Sequence, residues 1–433
     1  GYDYGDDDSN PSPAGDGAHG TACAGIVGAT QGNAAGVTGI APLSRIMPIK
    51  IWKDNGQSAS VSDTADAIDF AWQNGAHVLS NSWGFSSASH TIFPVITAAI
   101  GRAKTQGRNG LGSVVVFAAG NTADHSKGQP GYATFPGSRS NVLTVGASDR
   151  YDKQANYSPT DNDVDIVAPS HKAYRCQIAT EDFEVWTTDI TGNAGYNPYH
   201  NPGSDCLPPH GTKLPKDNDN YTGLMGGTSA SCPLTAGIAA LLLSVNPNLT
   251  AVEAEDIIKT TAEKINNSAG TYNASGHSAR YGYGRVNAHR AIVPTVIISV
   301  KPKRVQKGKP FSVKVTGSAP FGLKSIWWFG KETGIADIDK AHWHNVSDSK
   351  KVYTYKWTGV TINKKGTFTL GANARDVKYP TPGDGFPHQA SEGSGIAYTT
   401  VKVPTLAGWG IILLSLLFIV SAATRKKGTS INS

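Results

Sequence analysis

Residues 113–119 (SVVVFAA) limit what this chain can fold into more than any other stretch. Successive side chains of a strand point to opposite faces, so three valines and a phenylalanine in a row put apolar surface on both sides. A strand of that kind needs both faces covered, which is the setting of a parallel sheet. The neighbouring residues repeat the theme. Residues 45–52 alternate as a strand, and residues 63–74 carry Ile68, Ala71 and Trp72 at helical spacing. Residues 78–83 read as a short strand, 91–104 as a helix, and 142–147 and 164–168 as two further strands. This alternation predicts an α/β fold, a parallel sheet with helices on both faces. A ligand site is then expected beyond the carboxyl ends of the strands.

A second stretch carries the chemistry. Residues 226–233 (GGTSASCP) bring a glycine pair and then hydroxyl residues to the start of an apolar run, residues 234–245. Glycine permits a close backbone approach, and a proline early in a helix costs little because the first N–H groups lack partners. Ser229 is thus expected at the N-terminus of a buried helix, where partial positive charge favours a developing anion. An ordinary helix cap uses the same residue type. Other polar clusters fall at strand ends: Ser82-Trp83-Gly84, Gly120-Asn121, and His19 before a small-residue helix. Taken singly, each also suits a turn or a packing role.

Together these clusters resemble the subtilisin family of serine proteases (subtilases) over roughly residues 1–293. His19-Gly20-Thr21 resembles the family's histidine motif, and Gly227-Thr228-Ser229-Ala230 its serine motif. The resemblance implies that Ser229 is the nucleophile, His19 its base, and Asn121 the oxyanion asparagine. It further implies that Ser82, Trp83 and Gly84 line an extended substrate cleft. Tyr283-Gly284-Arg285-Val286-Asn287 resembles the segment that closes the domain, and Thr250-x-x-Glu253 forms a capping box. The family's aspartate is the departure. It belongs to an apolar strand upstream of the histidine, and only 18 residues precede His19. Asp3, Asp6, Asp7, Asp8 and Asp16 lie in a loop-like stretch, and none is assigned. The chain, opening at Gly1 without an initiator methionine, is read as a piece lacking that first strand, and nearly inactive as it stands.

Composition narrows the alternatives. The net charge of +6 (39 basic against 33 acidic residues) is dispersed, so no nucleic-acid stripe is expected. Twelve histidines include no His-Glu-x-x-His, which disfavours a zinc protease. An α/β-hydrolase esterase would need Gly-x-Ser-x-Gly, which residues 227–231 do not supply. Cys176 and Cys206 lie in a polar insertion, residues 171–223, and are expected to pair, whereas Cys23 and Cys232 read as small core residues. Thr187-Thr188-Asp189-Ile190, with Cys23 after His-Gly-Thr, is reminiscent of kexin-like members, which take basic residues in acidic pockets, and Asp124 is one candidate wall. The resemblance also implies a structural calcium ion. Residues 161–165 and 217–219 are oxygen-rich, but neither has EF-hand spacing, so its ligands are unassigned.

Three parts are expected: a peptidase domain over residues 1–293, an immunoglobulin-like β-sandwich over 294–403, and a terminal segment over 404–433. Residues 406–423 carry no charge and precede Arg425-Lys426-Lys427, which predicts a transmembrane span with a cytoplasmic end. With Pro404-Thr405-Leu406 ahead of it, the segment resembles the C-terminal sorting signals of Gram-negative bacteria. The function expected is a secreted or surface-displayed, monomeric serine endopeptidase acting on proteins or peptides. A catalytically inactive subtilase-fold binding protein is the alternative.

Overall fold

In the computed structural model the valine-rich run becomes β4, at the centre of a four-stranded parallel sheet. The structure describes residues 1–14, 17–86, 93–139, 141–171, 185–192, 195–196, 220–292, 295–301, 309–318, 323–331, 342–346, 352–361, 366–376 and 396–403. The chain divides into two units, Gly1–Ile292 and Val293–Ser433. In chain order the first unit contains β1 (Tyr2–Asp3), α1 (His19–Gly28), β2 (Ile49–Lys50), α2 (Val61–Gln73), β3 (Val78–Asn81), α3 (Pro94–Gln106), β4 (Val114–Ala118), β5 (Leu143–Ser148) and β6 (Ile166–Pro169). After these come β7 (Val185–Thr188), β8 (Tyr221–Met225), α4 (Thr228–Val245), α5 (Ala251–Thr261), α6 (Asn267–Gly270) and α7 (Ala288–Ile292).

The sheet runs β3-β4-β5-β6, with every pairing parallel. All five residues of β4 are buried. Val115 and Phe117 join a core with Ile68 and Ala71 of α2 and Ile96, Ala99, Ile100 and Ala103 of α3. Alternation turns Val114 and Val116 to the opposite face, where α4 crosses β3, β4, β5 and β6. Helix α4 is long and apolar enough to cross a membrane by length and composition, but its residues mostly serve this core. The segment expected to close the domain docks on the edge of the sheet: Val167 pairs with Arg285, and the Val286 N–H donates to the Val167 carbonyl.

Helix starts follow local chemistry. Thr250 and Glu253 form the expected capping box of α5, and Ser60 and Asp63 form a second one at α2. Pro94 opens α3, where its missing N–H has no cost. The expected strand over residues 45–52 shrinks to Ile49–Lys50, because β2 pairs only with the two residues of β1. The other edge of β2 and the free edge of β3 line one cavity of about 2560 Å³, with α2 and α4 contributing Ala67, Ile68, Ala236 and Leu243, and with His19 also among the lining residues.

The second unit contains β9 (Thr295–Lys301), β10 (Phe311–Ser318), β11 (Leu323–Lys331), β12 (His342–Asn345), β13 (Val352–Val360), β14 (Gly366–Asp376) and β15 (Ile396–Val403). They form two antiparallel sheets, ordered β13-β10-β9 and β12-β11-β14-β15. Phe311, Val313 and Val315 are buried while Lys314 is exposed, the alternation of a sheet with one covered face. The expected span at 406–423, Cys176, Cys206 and residues 217–219 lie outside the described residues.

Helix α1, which carries His19, is held to β7 by two hydroxyls. Thr187 Oγ1 donates to the Ala22 carbonyl at 2.6 Å, and Thr188 Oγ1 to the Thr21 carbonyl at 2.8 Å. This gives Thr187-Thr188 a structural task. The approach needs Gly25, since a Cβ there would lie 2.2 Å from Thr188 Oγ1. Gly25→Ala should therefore cost about 1–3 kcal/mol by overpacking. A melting midpoint equal to that of the parent would show that the contact does not constrain α1.

Candidate active site

Ser229 is the second residue of α4, and the turn before it explains its presentation. Gly227 caps the helix at φ 73°, in a region that favours glycine, and a Cβ there would lie 2.9 Å from Asn121 Nδ2. The first N–H groups of a helix have no partners within it. Here Thr228 N–H donates to Asn121 Oδ1 at 2.9 Å, and Ala230 N–H donates to the Gly227 carbonyl at 3.1 Å. Among the described residues the Ser229 N–H between them has no partner.

Asn121 is oriented by the same contacts. Its Oδ1 accepts from both the N–H and the hydroxyl of Thr228, the latter at 3.0 Å. The hydroxyl of Thr228 in turn accepts from Gly120 N–H at 3.1 Å. With its oxygen engaged, the carboxamide is left with Nδ2 as a donor. Asn121 and Ser229 line one pocket of about 430 Å³, together with Ser82, Trp83, Gly84, Tyr132 and Thr134. Thr134 forms its narrow part: a Cβ on Gly84 would lie 2.6 Å from Thr134 Oγ1, and one on Gly120 would lie 2.6 Å from Thr134 Cγ2. Thr134 carries no local signal in the sequence, and Thr228 is marked there only as a member of the serine motif, with nothing to indicate that it orients Asn121.

The residues expected to line the cleft divide by role. Trp83 turns its ring inward, edge-on to Phe117 with centroids 5.1 Å apart. Gly84 gives the space that Thr134 occupies. Ser82 holds the backbone of Ser229, its Oγ donating to the Ser229 carbonyl at 2.9 Å. Pro233 explains why that carbonyl is available. Pro233 is the sixth residue of α4, beyond the turn where a proline is free of cost, and it removes the N–H that would bond Ser229 O. The helix loses one internal bond, and the loop after β3 supplies another.

His19 opens α1 and faces the same region. Cys23 links the two: its Sγ lies 3.9 Å from His19 Nδ1 and 3.6 Å from the Ser229 carbonyl oxygen. No hydrogen bond joins His19 to Ser229 Oγ among the described residues, and such contacts commonly tighten only when substrate binds. The ring reaches solvent, yet the protein packed around it disfavours the imidazolium and lowers its pKa below the ordinary histidine value. Burial pushes the Cys23 thiol up to about 12 and the Cys232 thiol up to about 11, so both are poor nucleophiles and poor metal ligands.

Among the described residues no carboxylate partners His19. Asp3 is buried in β1, but its Oδ1 accepts from Gly5 and Asp6 N–H and its Oδ2 from Lys50 Nζ at 2.7 Å. Asp3, Asp6 and Asp54 are the one described group whose carboxylates converge closely enough to suit a cation. Lys50 already pairs with all three, so the group as built is an ion-pair network and not the oxygen shell that calcium needs. Residues 161–165 do not converge either. Asp161 accepts from Ala133 and Asp163 N–H, whereas Asp165 accepts from Thr144 N–H. Asp124 is spent on Lys127, Ser126 and Asn156 and does not line the pocket, so it forms no acidic wall there.

Comparison with known proteins places the chain in a family. The family model described as "Subtilase family" matches residues 1–284. A calcium-dependent protease of Trichormus variabilis is 38% identical over 294 residues, 65% of this chain and 40% of the relative. Thermitase of Thermoactinomyces vulgaris is 30% identical over 67% of this chain and 80% of its own length. The chain thus spans about two fifths of the calcium-dependent relative. Among solved structures, a serine protease of Aeromonas sobria in complex with its chaperone shares the fold, with a TM-score of 0.56 over 86% of this chain and 78% of that one, at 18% identity.

The link between Ser82 and Pro233 predicts a coupled pair. Ser82→Ala should destabilise the fold by about 1 kcal/mol, the cost of leaving the carbonyl with only the weak thiol donor of Cys23. Pro233→Ala should recover part of that loss, because it returns an N–H to the same carbonyl. Strictly additive melting shifts in the double mutant would refute the link.

Proposed function

The chain belongs to the subtilase family, and on that premise we propose that it is a serine endopeptidase hydrolysing peptide bonds of protein or peptide substrates. The observation that carries the reading is the pairing of two unspent donors, the Ser229 N–H and Asn121 Nδ2, around a pocket that also exposes Ser229. In this reading Ser229 Oγ attacks the scissile carbonyl and His19 takes its proton. The developing oxyanion accepts from Ser229 N–H and Asn121 Nδ2. His19 then returns the proton to the leaving amine, and water repeats the cycle to release the acyl group.

The base needs an orienting carboxylate. We place it on a strand seated between the free edges of β2 and β3, where the cavity is lined by strand edges, apolar helix residues and His19. In subtilisin, a relative, loss of that aspartate costs about 3 × 10⁴ in turnover. The alternative, a catalytically inactive binding protein, is favoured by one observation: His19 has no carboxylate partner among the described residues. The name of the Trichormus variabilis relative supports a structural calcium requirement, with no ligands assigned. Export, surface display through a Gram-negative sorting signal and span at 406–423, a sandwich arrangement of the second unit and a monomeric state complete the proposal.

A fluorophosphonate probe should label Ser229 and lose that labelling in His19→Ala. Asn121→Ala should lower the labelling rate by about 10²–10³-fold. The neutral imidazole is the active base, and its depressed pKa keeps it neutral to lower pH. The rate should therefore rise with pH through a midpoint below 6.5. A midpoint above 6.5 would contradict the assigned environment of His19. A synthetic strand of about six apolar residues ending in Asp-x-Gly should accelerate labelling when added to the chain. Labelling that stays absent with this peptide would favour the binding protein.

A further inference from the structure

Behind the nucleophile turn lies a buried relay that neither the catalytic reading nor the sequence motifs use. Ser170 and His171 follow β6 directly and are buried, as is Tyr157. Ser170 Oγ donates to the Gly227 carbonyl at 2.9 Å. Tyr157 Oη lies 2.9 Å from Ser170 Oγ, 2.9 Å from His171 Nδ1 and 3.0 Å from the His171 carbonyl. The imidazole also lies against Gly226, where a Cβ would come 2.4 Å from Cε1 and 2.5 Å from Nε2. Both glycines of the turn that delivers Ser229 are thus supported from one side by this group.

Counting protons settles its direction. A carbonyl only accepts, so the single hydrogen of Ser170 is committed to Gly227. Ser170 Oγ and the His171 carbonyl then both compete for the single hydrogen of Tyr157. Whichever takes it, the Tyr157 oxygen has no hydrogen left for Nδ1. The contact at 2.9 Å is therefore a hydrogen bond only if His171 carries its proton on Nδ1 and donates it to Tyr157. Ser170 Oγ, at 2.9 Å, is the nearer of the two acceptors of Tyr157, and with the hydrogen placed there the chain of donation runs His171 to Tyr157 to Ser170 to Gly227. Each link turns the next hydroxyl toward the helix cap. The Gly227 carbonyl also accepts the first helical N–H, from Ala230, so the relay ends on the atom that sets the start of α4.

We infer that His171 is a positioning residue for Ser229, acting through Tyr157 and Ser170 to fix the Gly227 cap. The inference rests on the assignment of Ser229 as nucleophile, and its test has one arm that does not. Long-range proton–nitrogen NMR of the full chain should show His171 as the Nδ1–H tautomer. Tyr157→Phe should lose that signature and shift the amide signals of Gly227 and Thr228. An Nε2–H tautomer in the parent chain, or unmoved Gly227 and Thr228 signals in the variant, would overturn the relay whether or not Ser229 reacts. In the second arm, Tyr157→Phe and Ser170→Ala should each slow the limiting rate of fluorophosphonate labelling by about three- to tenfold, with the half-saturating probe concentration unchanged. Circular dichroism checks that each variant is folded. Two variants that fold and label at the parental rate would refute the positioning role. A parent chain that shows the tautomer but never labels would count against the proposed function, leaving the relay to the NMR arm.

Discussion

The carbonyl oxygen of Ser229 is the point on which the arrangement of the cleft depends. Pro233 deprives it of a helical partner, and the side chains of two other elements take its place: Ser82 beyond β3, and Cys23 on α1. A backbone acceptor that would normally be consumed inside α4 therefore ties together the three segments that carry Ser229, His19 and Trp83. A buried carbonyl left unpaired costs about 1–3 kcal/mol, so the interaction is enforced by the penalty of breaking it more than by its intrinsic strength. Ser229 is also held in helical geometry, and its N–H, which belongs to the preceding peptide, points toward the N-terminal end of α4.

The same logic of spent and unspent groups organises the donors. Thr228 uses its N–H and its hydroxyl on one oxygen of Asn121, and that double engagement decides which end of the carboxamide is left to donate. Gly227 must be a glycine twice over, for its φ of 73° and for the closeness of Asn121. Gly84 and Gly120 have the same relation to Thr134, whose methyl and hydroxyl fill the space that their missing side chains leave. Gly84, Gly120 and Thr134 all line the pocket, so its wall there depends on two missing side chains.

Electrostatics near His19 follow from packing and not from a charged neighbour. Protein packed around His19 disfavours its cation, and the thiols of Cys23 and Cys232 are raised by the same effect. The acidic N-terminal segment contributes nothing to this balance. Asp3 and Asp6 gather with Asp54 around Lys50, Asp7 accepts from the Tyr2 hydroxyl and Asp8 from the Asn10 N–H, and none of these carboxylates partners His19.

The fold was legible in the sequence where burial leaves a mark on residue type. Valines facing both ways at residues 114–116 announced a covered parallel strand, and Thr250 with Glu253 announced the start of a helix. The motif residues His19, Asn121 and Ser229 were legible for the same reason, since each sits at an element end marked by glycine. The length of β2 was not, because a strand extends only as far as its partner, and β1 has two residues. Nor was the role of Ser82, Thr134, Tyr157 or His171. Each acts through a contact more than ten residues away in the chain, and no local pattern encodes which carbonyl a hydroxyl will meet. The sequence by itself determined the kind of sheet and the candidates for the chemistry, through hydrophobic periodicity and glycine placement. Only the tertiary structure decided which donors remain free at Ser229, because that depends on which backbone groups the rest of the fold has already satisfied.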